Sequence, residues 1–418
     1  MKSQRKERCS NWREHLLLII LTVMNIVGQA MQIVTVVLWF ATVDPDLQNT
    51  MGFSVLIATS IPPCIVFGLV IVVRWLQKCK IFKHGHPFWY GWREFGLCSI
   101  IGIFNALSQL LFFYSSDSTR TSAILQPILS SATVFYSIPL TKWILKDNKK
   151  YFSLLPVVSL STVLVGLCIG LIPGIIAIVH GEADFGGALY WPFIYLLSYA
   201  PVSTYNVLQQ YLLLDFAKRH PEGSPSRDYI SETLYIVFWT TLWLLIGSAL
   251  MFWMDLIPGF GSNGSLKGFW SSFVLGMDCG FGVISDPTIC QGTPLYTYLY
   301  AVGYVLSYWA SARLNEQSAN YTMLSQVCVS PLAVCFWLVF PWLNPSPTPQ
   351  PLWSIMPALV LATVGLIMWR AWEIRVEAAE QKMQYKQDKE IGDISSHDDD
   401  NNADEETPLL THTESLIN

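Results

Sequence analysis

Residues 121–140 read T-S-A-I-L-Q-P-I-L-S-S-A-T-V-F-Y-S-I-P-L, an apolar run that carries polar side chains in its middle. About 200 residues later, a second apolar run repeats the spacing of Gln126 and Ser130 with Gln326 and Ser330. Two matched segments of this kind indicate an internal duplication. Polar side chains within membrane-spanning segments are costly, so they face a cavity or another helix. The pair therefore predicts a polar cavity between two halves of a membrane protein.

Composition places the chain among polytopic membrane proteins. Of its 418 residues, 52% are hydrophobic and 13% are charged, whereas soluble domains carry roughly 25% charged residues. Apolar stretches of about 20 residues, the length that crosses a bilayer, occur many times. We find no metal-ligand spacing, catalytic elbow or phosphate loop. We therefore expect an all-α membrane protein that is not an enzyme, uses no metal or cofactor and, lacking a basic domain, binds no nucleic acid.

Ten spanning helices are predicted from the hydrophobic pattern. They cover 15–43, 53–76, 94–114, 121–140, 152–178, 188–214, 233–257, 294–312, 320–341 and 352–372. Lysines and arginines concentrate in the N-terminal segment 1–14 and in the even-numbered connections, which places both termini in the cytosol. Five spans per half give the second half the opposite orientation. We therefore predict two inverted repeats, 15–178 and 188–372, a plan common in secondary transporters.

The connection at 258–293 is long and lies on the non-cytosolic side in this topology. It holds the sequon Asn263-Gly-Ser, a triplet that marks N-glycosylation sites but also occurs by chance. Apolar residues at helical spacing over 269–277 predict a short helix on the membrane surface. Cys279 and Cys290 follow on the oxidising side, where we favour a disulfide over two free thiols.

The C-terminal segment 382–418 is polar and acidic. It cannot bury enough apolar surface to fold, so we predict a disordered cytosolic tail. Within it, Glu405, Leu409 and Leu410 fit the acidic dileucine pattern that clathrin adaptors read. Because this motif directs membrane proteins to lysosomes, vacuoles or endosomes, we expect such a location and the adaptors as partners.

Polar side chains recur on single faces of the predicted spans. Asn25, Gln29 and Gln32 stand at i, i+4 and i+7 of the first span, which is one face of a helix. One interpretation is that they only bond to neighbouring helices. Three amides in one stripe favour a water-filled cavity instead, and no charged residue lies deep in any span, so this cavity is expected to be neutral and to lack an evident proton carrier. The predicted cavity residues are Asn25, Gln29, Gln32, Asn105, Gln109, Gln126, Ser130, Tyr199, Ser203, Asn206, Gln326 and Ser330.

The five-plus-five plan resembles the drug/metabolite transporter superfamily and, more narrowly, the chloroquine-resistance-transporter-like family. The likeness covers about residues 15 to 375 and rests on short motifs. These are Val23-Met24-Asn25, Pro201 with Asn206, Phe273-x-x-Gly276-Met277-x-Cys279 with the following Cys290, Ser330-Pro331-Leu332 and Val364-Gly365. The malarial member has four cysteines in the long loop, whereas this chain has two there and can form at most one disulfide.

The resemblance implies transport of small solutes by alternating access across an acidic vacuolar or plastid membrane. The implied solutes are amino acids, short peptides or thiol compounds and cationic drugs. It also implies coupling to a proton gradient, which the missing buried carboxylate puts in doubt. An alternative is a Golgi carrier of nucleotide sugars or other phosphorylated metabolites, although that class needs basic residues in its cavity. A non-transporting scaffold is the third hypothesis, and it predicts a dry interior.

Overall fold

The computed structural model describes residues 2–48, 50–81, 89–146, 151, 153–180, 189–219, 229–257, 260, 264–283, 289–290, 292–317, 319–345 and 351–399. Side chains are outside this description at 2–15, 45–46, 78–81, 217, 229, 316–321, 323–327, 370, 373, 377 and 380–399. The α-helices are α1 (Lys2–Ala41), α2 (Pro45–Gln48), α3 (Gly52–Ile81), α4 (Trp92–Ser115), α5 (Leu125–Ser130), α6 (Thr133–Ile144), α7 (Leu154–Val179), α8 (Trp191–Leu197), α9 (Tyr199–Arg219), α10 (Tyr229–Leu250), α11 (Leu266–Phe281), α12 (Thr293–Gln317), α13 (Ala319–Val339) and α14 (Leu352–Asp399).

The chain is an all-α, multi-pass membrane protein. Within the described ranges, six helical stretches are long and apolar enough to cross a bilayer. They are Leu16–Ala41, Gly52–Gln77, Trp92–Ser115, Leu154–Val179, Ile230–Leu256 and Leu352–Val376. The other four predicted spans fall on the α5–α6 pair, the α8–α9 pair, α12 and α13.

Two of the predicted spans are broken into consecutive helices. Between α5 and α6 the backbone N–H of Ser131 donates to the carbonyl of Ile128, three residues earlier, at 3.1 Å. This spacing is that of a 3₁₀ turn, which is wound more tightly than an α-helix. Between α8 and α9 the break falls at Ser198, three residues before Pro201. Proline removes the N–H that would bond to the carbonyl four residues earlier, here Leu197, so the helix is weakened at this place.

The end of the chain differs from the sequence-based expectation. Residues beyond Trp369 form a compact unit of their own, through which α14 continues to Asp399. The composition of the sequence predicts disorder from residue 382, whereas the helix continues to Asp399. The segment after residue 375 is rich in Ala, Glu, Gln, Lys and Met, which are strong helix formers. The sorting residues Glu405, Leu409 and Leu410 lie outside the described residues.

The packing relations repeat between the two halves. α1 packs on α12 as α4 packs on α9, and α3 packs on α12 as α4 packs on α10. Likewise α1 packs on α13 as α6 packs on α9. If each predicted span is replaced by the span five positions earlier or later along the chain, each of these three contacts is converted into its counterpart. α5 and α13, which hold the two matched sequence segments, pack on each other.

Small residues allow the closest helix approaches. A Cβ atom on Gly28 of α1 would lie 2.6 Å from the carbonyl oxygen of Gly303 on α12. A Cβ atom on Gly303 would lie 2.8 Å from the carbonyl oxygen of Gly28, so the contact is mutual. Close backbone contact of this kind is how helices associate where no hydrophobic effect drives them together.

α11 confirms the helix predicted over 269–277 and extends it at both ends. The Ser265 hydroxyl caps it by accepting from the backbone N–H of Gly268. The helix packs on α3, where Gly276 leaves room for Ser54. The predicted disulfide between Cys279 and Cys290 is present, with a Cα–Cα distance of 5.5 Å. Asn263 lies outside the described residues.

Candidate polar cavity

A cavity of about 90 Å³ lies among α1, α4, α9 and α12. The side chains around it are amides, hydroxyls, aromatic rings and two aliphatic groups, and none of those described is charged. The lining residues are Gln29, Gln32, Ile33, Ser108, Gln109, Phe112, Ser198, Tyr199, Val202, Tyr205, Tyr300, Tyr304, Ser307, Tyr308 and Ser311.

Hydrogen bonds across the walls hold the amide groups in place. Gln32 Nε2 donates to the Ser307 hydroxyl at 2.7 Å and so joins α1 to α12. The Tyr300 hydroxyl donates to Gln109 Oε1 at 2.7 Å and joins α12 to α4. The walls therefore present a fixed set of donors and acceptors rather than free side chains.

The tyrosines form an aromatic wall on one side. The rings of Tyr304 and Tyr308 are stacked with centroids 5.1 Å apart. Tyr205 of α9 lies 6.4 Å from Tyr308, so the wall includes rings from both helices. The hydroxyl of Tyr304 accepts from Asn105 Nδ2 at 3.0 Å, and the hydroxyl of Tyr308 donates to Thr240 at 2.7 Å. Ring faces attract organic cations without a counter-ion.

The cavity is small in this conformation. Its 90 Å³ equals the liquid volume of roughly three water molecules at about 30 Å³ each. Sites for drug-sized ligands occupy about 300–1,000 Å³. The cavity in this conformation is therefore smaller than a site for a drug-sized ligand.

Four predicted cavity residues line the cavity, namely Gln29, Gln32, Gln109 and Tyr199. Two others support the walls from behind. Asn25 accepts a hydrogen bond from Gln29 at 2.9 Å, and Asn105 donates to Tyr304.

The remaining predicted residues bond elsewhere. The Ser203 hydroxyl donates to the carbonyl of Thr133 and joins α9 to α6. Asn206 bonds to Asn315 of α12. Gln326 lies in α13, but its side chain lies outside the described residues.

The matched segments meet each other rather than the cavity. The Ser130 and Ser330 hydroxyls are 3.2 Å apart, and both donate to the carbonyl of Pro127. Gln126 is fully buried, and its Nε2 donates to the carbonyls of Ser116 and Thr121. The Gln126 bonds satisfy backbone carbonyls in the connection between α4 and α5, and the serine bonds satisfy one within α5, which explains why polar side chains are needed there.

Sequence analysis missed Tyr300, Ser311 and Asn315. Asn315 lay beyond the predicted end of the eighth span at residue 312, whereas α12 continues to Gln317. Tyr304, Ser311 and Asn315 are spaced by seven and four residues, which is one helix face. Extending the polar stripe past Arg313 could have found the last member.

Close to one end of α4, a second polar group is built around a buried carboxylate. The Tyr114 hydroxyl donates to Asp255 Oδ1 at 2.5 Å. Arg120 donates to the carbonyl of Tyr114 at 2.7 Å, and its guanidinium lies 4.0 Å from the ring centroid of Trp191. Burial lowers the pKa of the Arg120 guanidinium, and the nearby Asp117 carboxylate opposes that shift.

A scan of the chain against models of known protein families finds no match, and a search of curated proteins finds none. The chemistry of the cavity is therefore argued from its own residues and contacts.

Proposed function

We propose that this chain is a secondary-active transporter, not an enzyme, and that it moves small polar solutes by alternating access. The solutes are amino acids, short peptides or thiol compounds and cationic drugs, and the membrane is endolysosomal or vacuolar, with both termini in the cytosol. One observation carries the proposal. A neutral, polar and aromatic cavity lies among four helices, two from each predicted half of the chain.

The packing relations support ten spans arranged as two inverted repeats. Three contacts between the halves each have a counterpart when the halves are exchanged, and the matched segments cross at Ser130 and Ser330. Inverted repeats allow two conformations of similar energy in which the halves exchange roles, and the substrate site then lies between them. The cavity among α1, α4, α9 and α12 has this position.

The chemistry of the walls supports the solute class. Hydroxyls and amides can bond to the amide, carbonyl or ammonium groups of a solute, and tyrosine rings can hold a cationic group. Phosphate recognition uses arginine, lysine or oriented backbone N–H groups. Because the described lining contains no basic side chain, a nucleotide-sugar carrier is the less favoured candidate. It also contains no carboxylate, so a proton gradient remains an energy source to be tested.

Uptake into liposomes tests the proposal. The purified chain is reconstituted and offered a labelled amino acid, a dipeptide, glutathione, chloroquine and a nucleotide sugar, each with and without an imposed pH gradient. We expect uptake of at least one of the first four above the level of empty liposomes. Uptake of the nucleotide sugar alone would reverse the assignment, and uptake of none would refute it.

Two matched variants locate the site within the same assay. Gln32→Leu removes an amide from the cavity wall, whereas Gln126→Leu removes an equally sized amide that serves only the backbone. We expect Gln32→Leu to lower uptake about tenfold, the effect of one lost hydrogen bond. Gln126→Leu should lower the unfolding midpoint and leave uptake per folded molecule unchanged. The opposite pattern would place the site at the matched segments.

A further inference from the structure

Beyond the cavity, α9 and α12 share a cluster of three buried amides, Asn206, Gln209 and Asn315. We refer to it as the inner amide cluster. Asn315 Nδ2 donates to Asn206 Oδ1 at 3.1 Å and to Gln209 Oε1 at 2.9 Å. The Ser311 hydroxyl, which lines the cavity, donates to Asn206 at 3.4 Å. The cluster is therefore joined directly to the cavity wall.

The cluster leaves hydrogen-bonding capacity unused. Asn315 Oδ1 and Gln209 Nε2 are buried, and neither has a partner in the described part of the chain. The residues themselves have no exposed surface. Exchanging the oxygen and nitrogen of the Asn315 amide would place its oxygen against two acceptor oxygens, and the same exchange in Gln209 would place two donors together. The contacts between the amides therefore determine their orientation. A buried acceptor and a buried donor without partners are costly, and native proteins keep few of them without a reason.

The unused acceptor and donor match one chemical group. A peptide or primary amide offers an N–H to Asn315 Oδ1 and a carbonyl oxygen to Gln209 Nε2. A quaternary ammonium ion offers neither, and it can interact only with the ring faces of the cavity. The two places therefore differ in the solutes that they can hold.

Ion pairs hold the next stretch of α9 against α4. Arg219 lies 2.6 Å from Glu94 Oε1 and 2.6 Å from Asp215 Oδ2, and Arg93 lies 3.2 Å from Asp215. The Glu94 side chain is 4% exposed and that of Arg219 is 39% exposed, so only the carboxylate end of this pair is shielded from water. We refer to Arg93, Glu94, Asp215 and Arg219 as the ion-pair cluster. At about 1.5 Å per residue, Asp215 and Arg219 lie roughly 9 Å and roughly 15 Å along α9 from Gln209.

We propose that the inner amide cluster is a second binding station for amide-bearing solutes, next to the tyrosine-lined cavity, and that the ion-pair cluster holds it closed. The inference rests on the proposed function, because a station is useful only where a solute passes. Cavity, amide cluster and ion-pair cluster follow one another along α9. A solute that leaves the cavity in that direction meets the free acceptor and donor once α9 is released from α4, where the ion pairs hold it, and moves away from α12.

Calorimetric titration of the purified full-length chain with two probes tests the proposal. Alaninamide carries a primary amide beside its ammonium group, and tetraethylammonium carries only the cationic charge. We expect both to bind the wild type. Asn315→Leu should weaken the binding of alaninamide about tenfold, the loss of one hydrogen bond, and change that of tetraethylammonium less than twofold. Gln209→Met removes the free donor and should give the same pattern if Asn315→Leu fails to fold.

A gate variant tests the closure. Glu94→Gln breaks the partly shielded pairing with Arg219, and its matched control Arg93→Gln breaks the more exposed pairing with Asp215. If solute cannot reach the inner amide cluster in the closed state, a variant that favours the open state raises the apparent affinity for alaninamide. Glu94→Gln should therefore tighten alaninamide binding several-fold, whereas Arg93→Gln should change it less than twofold.

The outcomes separate this inference from the proposed function. Binding of tetraethylammonium without alaninamide would overturn the station and leave the transport proposal standing. Equal losses for both probes in Asn315→Leu would show that the amides only pack the helices together, and would also overturn it. Unchanged alaninamide binding in Glu94→Gln would overturn the closure. Binding of neither probe by the wild type would overturn both proposals.

Discussion

The contact between α1 and α12 gives a prediction whose size follows from the structure. Gly28→Ala would place a methyl carbon 2.6 Å from the carbonyl oxygen of Gly303 and 2.7 Å from the backbone nitrogen of Ser307. Both neighbours are backbone atoms, so the helices themselves must separate. Overpacking of this kind costs about 1–3 kcal/mol, and alanine regains up to about 1 kcal/mol through its helix propensity. We expect a net loss of roughly 1 kcal/mol.

A second glycine makes the prediction sharper. Gly303→Ala places a methyl carbon 2.8 Å from the carbonyl oxygen of Gly28, on the other side of the same contact. One separation of the helices relieves both clashes, so the double variant should lose less than the sum of the single variants. The control is Gly96→Ala in α4, where a Cβ atom would have no neighbour within 4 Å. That variant should gain stability by up to about 1 kcal/mol.

Unfolding midpoints in detergent, compared at one scan rate because membrane proteins unfold irreversibly, give the ranking. Uptake by the same variants adds a functional measure, since the Gln32–Ser307 hydrogen bond crosses this contact. Gly28→Ala should therefore lower uptake as well as stability. If Gly28→Ala proves as stable as Gly96→Ala, or if the double variant is fully additive, the two helices do not approach each other as described.

Three further predictions concern features outside the cavity. Tyr114→Phe should lower the free energy of unfolding by about 1.5–3 kcal/mol, because the buried Asp255 carboxylate loses its hydroxyl donor. Asp255→Asn should lower it less. Equal unfolding midpoints for the two variants would contradict this. Cys279→Ser opens a loop with a sequence separation of 11, which costs roughly 3 kcal/mol in the chain-entropy view. A reductant should lower the wild-type midpoint to that of the variant, and no response to reductant would contradict the disulfide. Gly91→Ala should cost about 1–3 kcal/mol, since φ is 141° and the new methyl would lie 2.4 Å from Glu94 Oε2; an unchanged midpoint would exclude that clash.

The hydrophobic pattern predicts where helices occur because length and apolarity are local properties. It does not predict the exact breaks at Ser131 and Ser198, where the backbone N–H bonds to the carbonyl three residues earlier. The same limit applies to helix ends. α12 continues past the charged Arg313 because Asn315 is buried against α9, a tertiary contact that no local pattern contains.

The cavity shows the same division between local and tertiary information. The stripe of Gln29 and Gln32 is visible in the sequence because one helix face carries both residues, and both line the cavity. The tyrosines of α12 also share one helix face, at 300, 304 and 308, but aromatic residues are frequent throughout the spans, so this spacing alone does not single them out. Their role depends on which helices surround them.

The sequences of the matched segments suggest that they bind the solute. Their contacts instead give them a role in the conformational change of the proposed transport cycle. The Ser130 and Ser330 hydroxyls meet at a crossing that maps onto itself when the halves are exchanged, and both donate to the carbonyl of Pro127. A contact of this kind can persist while the halves exchange conformations, because both conformations contain it. The contacts that must break are those related in pairs, α1 with α12 and α4 with α9. The α1–α12 pair is held by glycine contacts and a hydrogen bond between neutral groups, whereas the α4–α9 pair includes an ion pair between the buried Glu94 and the exposed Arg219. The two sides of the cavity therefore open at unequal cost, and the α4–α9 side should respond to charge neutralisation while the α1–α12 side responds to the size of residue 28.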